Sequence, residues 1–245
     1  MGRYKITIEY DGSHFCGWQK QKDALSVQEV LEKAVYDFSH ETVEIQGSGR
    51  TDAGVHALGQ VAHFDLSKET TPFRVKEALN ALVRPYPIAI LDCEEVSDDF
   101  NARFSAKKRF YIYRILNRRT PPALDRERVW HIVQPLDIEK MKEAAALMPG
   151  KHDFSTFRAS ECQAKTPVKT LDSFEIEQKG EEIVCFVSAR SFLHHQVRNM
   201  VGSLVLVGQG VWTVADFKAA FEACDRKKGG PTAPAQGLYL SHILY

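Results

Sequence analysis

A glycine-rich segment at residues 47–57, GSGRTDAGVHA, holds the residues whose types could carry chemistry. Its glycines permit a tightly folded backbone from which few side chains project, and Arg50 and Asp52 are its two charged residues. A carboxylate held in this way can meet a substrate without much reordering and act as a nucleophile or a general base. An Asp beside a Gly is also typical of a plain turn, where its side chain bonds its own backbone. The segment alone leaves both interpretations open.

A second signal is a basic stretch. Residues 103–128 include nine Lys and Arg residues against two acidic ones, although the whole chain balances 32 basic against 32 acidic residues. Cations interleaved with aromatic residues suit a surface that grips phosphates and stacks bases, while the neutral total argues mildly against a nucleic-acid binder. A solvated strand and loop explains the stretch equally well. The aromatic residues are Phe104, Phe110, Tyr111 and Tyr113. Lys165, Lys169, Arg226, Lys227 and Lys228 could add phosphate contacts, although solvated charge is the commoner role of each.

Arg198 lies in an otherwise apolar helical pattern, which predicts a long helix over residues 192–207. A buried cation needs a partner. Pairing with Asp52 would lower the pKa of that carboxyl and keep it ionised; another acid, or an extended path to the surface, would serve Arg198 equally well. His194 and His195 would point about 100° apart on this helix and make poor joint ligands. The five cysteines show no metal-binding or redox spacing, so we predict reduced thiols and no metal.

Regular elements must position these residues. The alternating residues 4–10 predict a strand, a Ser26–Glu29 capping box begins a helix to about residue 38, and Pro72 can open a second helix. The remaining predicted elements are strands at 43–47, 60–66, 88–96, 109–116 and 237–245, a hairpin of 168–177 with 183–189, and helices at 138–148 and 214–223. We therefore predict an α+β fold of two related lobes, each a mixed, largely antiparallel sheet with helices on one side, in the manner of a ferredoxin-like duplication. The predicted domains are 1–104, carrying the Asp loop, and 105–245, with the active-site cleft between them.

Composition bounds the class of protein. Hydrophobic residues make up 44% of the 245 and charged residues 26%, a balance typical of a globular protein with a core. No apolar run approaches the ~20 residues that span a bilayer. The first strand pattern begins at residue 4, which leaves no room for a signal peptide. These features predict a cytoplasmic protein without a membrane partner.

The motifs together resemble the bacterial tRNA pseudouridine synthase A family, nearly from end to end. The loop string RTDAGVHA at residues 50–57 is highly specific, and the other motifs follow in the family's order. They are YDG at 10–12, FCGWQ at 15–19, FNARFSA at 100–106, the strand at 109–113, HDFS at 152–155, FLHHQVRNMVG at 192–202 and APAQGLYL at 233–240. One departure is Gln196, where the family usually has a hydrophobic residue; we expect it to affect packing rather than chemistry.

The resemblance implies roles for single residues. Asp52 matches the aspartate nucleophile, and Arg50 matches an arginine that enters the RNA stem where the target base leaves. Tyr111 matches the tyrosine that stacks on the target uracil, with Tyr113 and Phe110 close enough to leave the register open. Arg198 matches the arginine that pairs with the catalytic carboxylate. The implied activity is isomerisation of uridine to pseudouridine in the anticodon stem-loop of tRNA, at positions 38, 39 and 40, by a homodimer without cofactor or metal.

The residue types suit that reaction. It breaks the C1′–N1 bond, rotates the uracil and joins C1′ to C5, so nothing is oxidised and one carboxylate can serve, at C1′ or at the C2′ proton. Two other functions are compatible with part of the pattern. A non-catalytic RNA-binding module would not need Asp52, and an N-glycoside hydrolase commonly needs a second acid that the motifs do not supply.

Overall fold

The computed structural model describes the whole chain, Met1–Tyr245. It is mixed α/β, with five helices and largely antiparallel strand pairs, and it divides into two compact units, Met1–Lys107 with Tyr239–Tyr245, and Lys108–Leu238. None of the helices combines the length and the hydropathy that a membrane crossing would require. In chain order the elements are β1 (Gly2–Tyr10), α1 (Val27–Ser39), β2 (Gln46–Gly47), β3 (His56–Leu66), α2 (Pro72–Leu82), β4 (Ile88–Val96), β5 (Lys108–Asn117), β6 (Trp130–Ile132), α3 (Ile138–Ala145), β7 (Gly150–Asp153), β8 (Val168–Lys179), β9 (Glu182–Ala189), α4 (Gln196–Gly208), α5 (Val214–Glu222) and β10 (Leu238–Leu244).

The first unit is built on β1, which pairs antiparallel with both β4 and β3. The short β2 adds to β3, and the returning β10 pairs parallel with the start of β3, setting Tyr239 opposite His56. The alternation of residues 4–10 puts Ile6 and Ile8 in the core, where Leu31 of α1 and Leu79 of α2 are also fully buried. Each such side chain contributes about 1.5–3 kcal/mol by leaving water. The site loop therefore leads into β3, an interior strand of a well-buried sheet.

Helix starts follow the predicted signals in part. Pro72 opens α2, as predicted, and the Thr71 side chain caps the helix, which was not predicted. The Ser26 hydroxyl accepts from the Glu29 N–H at 3.2 Å, but the Glu29 carboxylate does not return the bond, so only half of the predicted capping box forms. A complete box, which the sequence reasoning missed, begins α5 with Thr213 and Asp216.

The second unit has its own antiparallel order, β5–β9–β8–β7, with β6 parallel to the end of β5. The predicted hairpin is confirmed, and Gly180 at its turn has φ 62°. The core of this unit combines Met200 and Leu204 of α4 with an aromatic cluster. In that cluster the ring centroid of Phe157 lies 6.0 Å from that of Phe217 and 6.4 Å from that of Phe154.

Several predicted boundaries were wrong. The helix predicted over 192–207 begins only at Gln196, because the Gln196 side chain accepts from the Leu193 N–H at 2.8 Å and holds the preceding residues in a non-helical turn. The helix predicted over 138–148 ends at Ala145, and the strand predicted over 43–47 is reduced to β2. β6 and β7 were not predicted, since three or four residues are too few to show a period.

Candidate active site

Asp52 lies in the loop between β2 and β3, and its backbone is tied to the segment after β1. Asp52 and Gly17 form an isolated antiparallel bridge, and the Trp18 N–H donates to the Thr51 carbonyl at 3.1 Å. Within the loop, the Val55 N–H donates to the Asp52 carbonyl at 3.1 Å. The side chain is half-buried. The loop is thus fixed by backbone bonds on both sides of its carboxylate.

Glycines make this close approach possible. Gly17 has φ +109°, and a Cβ there would lie 2.4 Å from the Thr51 carbonyl oxygen. A Cβ on Gly12 would lie 2.0 Å from the Val55 carbonyl oxygen. Any side chain at either position would push the two segments apart, which explains why the YDG and FCGWQ motifs accompany the Asp loop.

Two aromatic residues support the loop from the core. The Tyr10 hydroxyl lies 2.7 Å from Thr51 Oγ1 in a buried hydrogen bond. The Trp18 indole is buried against Gly47, where a Cβ would come within 2.6 Å of its ring. Sequence reasoning gave neither residue a role, although both stood in the motifs that carry the resemblance. They are positioning residues for Asp52.

Gln60 of β3 secures the other side of the loop. Its Nε2 donates to the Gly49 carbonyl at 2.9 Å, and its Oε1 accepts from the Ser48 hydroxyl at 2.7 Å. The side chain is fully buried. A glutamine inside an otherwise ordinary strand pattern was the only signal for it, and sequence reasoning missed it.

Arg50 is exposed on the same loop, two residues from Asp52. Its Nε donates to Gln19 Oε1 at 3.1 Å, and Gln19 Nε2 in turn donates to Gln28 of α1 at 2.9 Å. This chain of side chains orients the guanidinium while leaving it accessible.

His56 has a structural place. It is buried, its Nδ1 accepts from the Gly12 N–H at 3.0 Å, and its ring stacks on Tyr239 with centroids 4.6 Å apart. Of the two roles expected for the histidines, the structural one is confirmed here.

Tyr111 and Tyr113 lie on β5 of the second unit in different surroundings. Tyr113 is fully buried and its hydroxyl donates to the Pro234 carbonyl at 2.7 Å; burial raises the pKa of its phenol well above the ordinary value. Tyr111 is half-buried, and its ring meets Phe192 edge-on at 5.1 Å. A buried ring that is already hydrogen-bonded has no free face for a base, whereas Tyr111 retains part of its surface.

Arg198, in α4, is half-buried rather than buried. Its Nε donates to the Ala233 carbonyl at 2.8 Å, and the Ala233 N–H donates to the Arg198 carbonyl at 3.1 Å. A Cβ on Gly202 would lie 1.8 Å from the Pro231 carbonyl oxygen, so the helix and the segment 231–233 are in close contact. The backbone therefore supplies one partner for this cation and orients it.

His194 and His195 do not lie on a helix, so the predicted divergence of their side chains was wrong. His195 precedes α4 with φ 61°, an uncommon conformation for a residue with a side chain. The bend brings the two rings together, with centroids 4.0 Å apart and planes at 41°.

Comparison with known proteins agrees with the motifs. A family model described as tRNA pseudouridine synthase matches residues 6–105 and 144–245. A tRNA pseudouridine synthase A of Xanthobacter autotrophicus is 57% identical over 245 residues, covering all of both chains. Proteins of the same name from Azorhizobium caulinodans and Rhodospirillum rubrum are 55% and 54% identical over the whole of this chain, and over 95% and 88% of their own lengths. From the motifs, the model match and these identities together, the chain belongs to the tRNA pseudouridine synthase A family of isomerases.

Proposed function

We propose that this protein converts uridine to pseudouridine in tRNA, at positions 38, 39 and 40 of the anticodon stem-loop, with Asp52 as the nucleophile and without a cofactor. The observation that carries the proposal is that several contacts hold the Asp52 loop in one position. The Asp52 backbone is bridged to Gly17, Tyr10 and Gln60 support the loop, and Asp52 itself is half-buried. A plain surface turn would not need this support from three separate segments. Such preorganisation favours a reacting group.

The chemistry requires one carboxylate and an extruded base. Asp52 either adds to C1′ as the C1′–N1 bond breaks, or removes the C2′ proton as that bond breaks, and the uracil then rotates. C5 bonds to C1′, with loss of the Asp52–C1′ bond in the first route and return of the proton to C2′ in the second; the C5 proton is then lost and N1 gains a proton. Extrusion costs a few kcal/mol, which stacking on an aromatic ring offsets. We assign that ring to Tyr111, because Tyr113 is buried and bonded to Pro234. Arg50 and Arg198 then contact the substrate with oriented guanidinium groups.

We further propose a cytoplasmic homodimer in which one tRNA contacts both subunits. The neutral formal charge of the chain supports this, because two copies would enlarge the basic surface offered to one RNA. Light scattering at micromolar concentration is expected to give twice the mass of the 27.7 kDa chain. A monomer would contradict the dimer but not the activity.

The test of the activity is incubation with an unmodified tRNA transcript, followed by mass-spectrometric mapping of uridine isomers. Pseudouridine supports the proposal, whereas free uracil would indicate a hydrolase and unchanged RNA a binding module. Asp52→Asn is expected to lower turnover by at least about 100-fold, because the amide can neither attack nor accept a proton, while RNA affinity changes little.

Asp37→Asn is the matched control. Asp37 lies on α1 and pairs only with the neighbouring Lys33 at the surface, so its loss should leave turnover intact. If Asp52→Asn keeps turnover similar to that of Asp37→Asn, the assignment of the nucleophile is wrong.

A further inference from the structure

A cleft of about 230 Å³ opens in the second unit and is lined by three basic residues, two hydroxyl-bearing residues and one valine. They are Lys151, Lys169, Arg190, Thr170, Ser191 and Val168. No acidic side chain lines it. Of the three cations, sequence reasoning named only Lys169, and favoured solvated charge for it.

Strand register brings together the three segments that carry these cations. In the β7–β8 pair, Lys151 stands opposite Thr170 and His152 opposite Lys169. In the β8–β9 pair, Leu171 stands opposite Ala189, so Arg190 emerges from β9 beside the same end of β8. The Arg190 carbonyl accepts from Arg109 Nη1 at 2.5 Å, which fixes the chain where it leaves the strand. The register therefore brings Lys151 and Arg190 to the same end of β8, and Lys169 lines the cleft from β8 itself.

These charges are not neutralised within the protein. No carboxylate lies within 4.0 Å of Lys151, Lys169 or Arg190, and their side chains make no hydrogen bond. The nearby Asp172 is already paired with Lys108 at 3.1 Å. Elsewhere in this unit, surface lysines commonly have acidic partners, as Lys142 has in Glu139 at 2.8 Å. Three cations that line one small cleft thus have no acidic partner in the protein, and a bound anion would supply one.

We propose that this cleft binds a backbone phosphate of the RNA substrate. The inference rests on the proposed function and adds to it a contact that none of the family motifs supplies. A phosphate accepts charge-assisted hydrogen bonds from several donors at once, which the two lysines, the guanidinium and the two hydroxyls can provide. A backbone phosphate is common to every nucleotide, so the contact positions the RNA without reading its sequence.

The test is the triple variant Lys151→Gln, Lys169→Gln, Arg190→Gln. Its dissociation constant for an unmodified tRNA transcript should rise at least tenfold near physiological salt, since charge-assisted bonds are lost. The slope of log affinity against log salt should fall by about 0.9 for the one phosphate released. In turnover, KM should rise more than kcat falls. All three side chains are at least partly exposed and make no internal bonds, so the melting temperature should stay close to that of the wild type.

The matched control is Lys140→Gln, Lys142→Gln, Lys218→Gln. It removes the same net charge from lysines that are each paired with a neighbouring acid. If both triple variants weaken binding equally, net charge explains the effect and the cleft is not a site. An unchanged affinity and salt slope in the cleft variant would also overturn the proposal.

Turnover measured in parallel separates this inference from the proposed function. Weakened binding by the cleft variant, with no pseudouridine formed by the wild type, would keep the phosphate site and reject the activity. Normal pseudouridine formation with unchanged binding by the cleft variant would reject the site alone. A wild type that does not bind tRNA would reject both.

Discussion

Replacing Gly17 with alanine tests whether the segment after β1 positions Asp52. The new Cβ would lie 2.4 Å from the Thr51 carbonyl oxygen, and real Cβ contacts essentially never fall below 3.0 Å, so the two backbones must separate by about 0.6 Å or more. The alanine must also adopt φ +109°, which L-residues rarely do. Since Thr51 immediately precedes Asp52, the displacement reaches the carboxylate directly.

The magnitude follows from these two effects. The backbone conformation costs about 1–3 kcal/mol and the overpacking a similar amount, for a total of about 2–4 kcal/mol after relaxation. For a chain of this size, about 2–4 °C of melting temperature is lost per kcal/mol, so we expect a decrease of roughly 4–16 °C. A misplacement approaching 1 Å at a reacting group costs about 100-fold in rate. We therefore expect kcat to fall about 100-fold, with a smaller change in KM.

The measurements are the melting temperature by circular dichroism and the rate of pseudouridine formation with saturating tRNA, well below the melting temperature of the variant. Gly180→Ala is the control, because Gly180 also has positive φ, at 62°, but nothing lies within 4 Å of a Cβ there. It should lose about 1–2 kcal/mol of stability and keep its turnover. If the kcat of Gly17→Ala lies within about threefold of the kcat of Gly180→Ala, the backbone bridge between Gly17 and Asp52 does not position the nucleophile.

Two smaller predictions concern the first unit. Thr51→Val removes the buried hydrogen bond to Tyr10 and should cost about 0.5–1.5 kcal/mol, seen as a lower melting temperature, whereas an unchanged value would show that the bond contributes nothing net. Burial, and after it the charge of Arg3, lower the pKa of His63, whose Nδ1 accepts from the Ala102 N–H at 3.2 Å. Because the unfolded state then binds the proton more tightly, stability is full above the unfolded pKa of about 6.5 and falls as the pH drops below it. Melting at pH 7.5 and 5.5 should show a smaller decrease for His63→Gln than for the wild type; equal decreases would assign the pH dependence to other groups.

Elements with a clear period could be predicted from the sequence. The strand at residues 88–96, the helix that begins at Pro72 and the hairpin around Gly180 have the predicted places, because each shows its own alternation or cap within a short window. The apolar period predicts the wrong structure where a local side-chain hydrogen bond holds the backbone in another conformation. The apolar pattern runs on through Phe192 and Leu193, but the Gln196 side chain holds that stretch in a turn. As a result the relation between His194 and His195 could not be inferred from helical spacing.

The two tyrosines on β5 show the same limit at the site. Tyr111 and Tyr113 are both tyrosines, and their side chains point to the same face of the strand. The sequence alone therefore does not decide which ring stacks on a base. They differ because the Pro234 carbonyl, far along the chain, lies over the hydroxyl of Tyr113 and the nearby Gly237 leaves room for its ring. Their burial is set by that packing and not by any local pattern.

By itself, the sequence determined which residues are capable of chemistry and which family the chain belongs to, because a run such as RTDAGVHA is specific regardless of its contacts. Only the tertiary structure decided what holds Asp52 in place and where unpaired charge gathers. Gly17 and Gln60 reach the Asp52 loop through a backbone bridge and side-chain hydrogen bonds, and strand register brings Lys151 and Arg190 to one end of β8. Residue spacing along the sequence carries no record of that register, since it is set by the packing of the whole sheet.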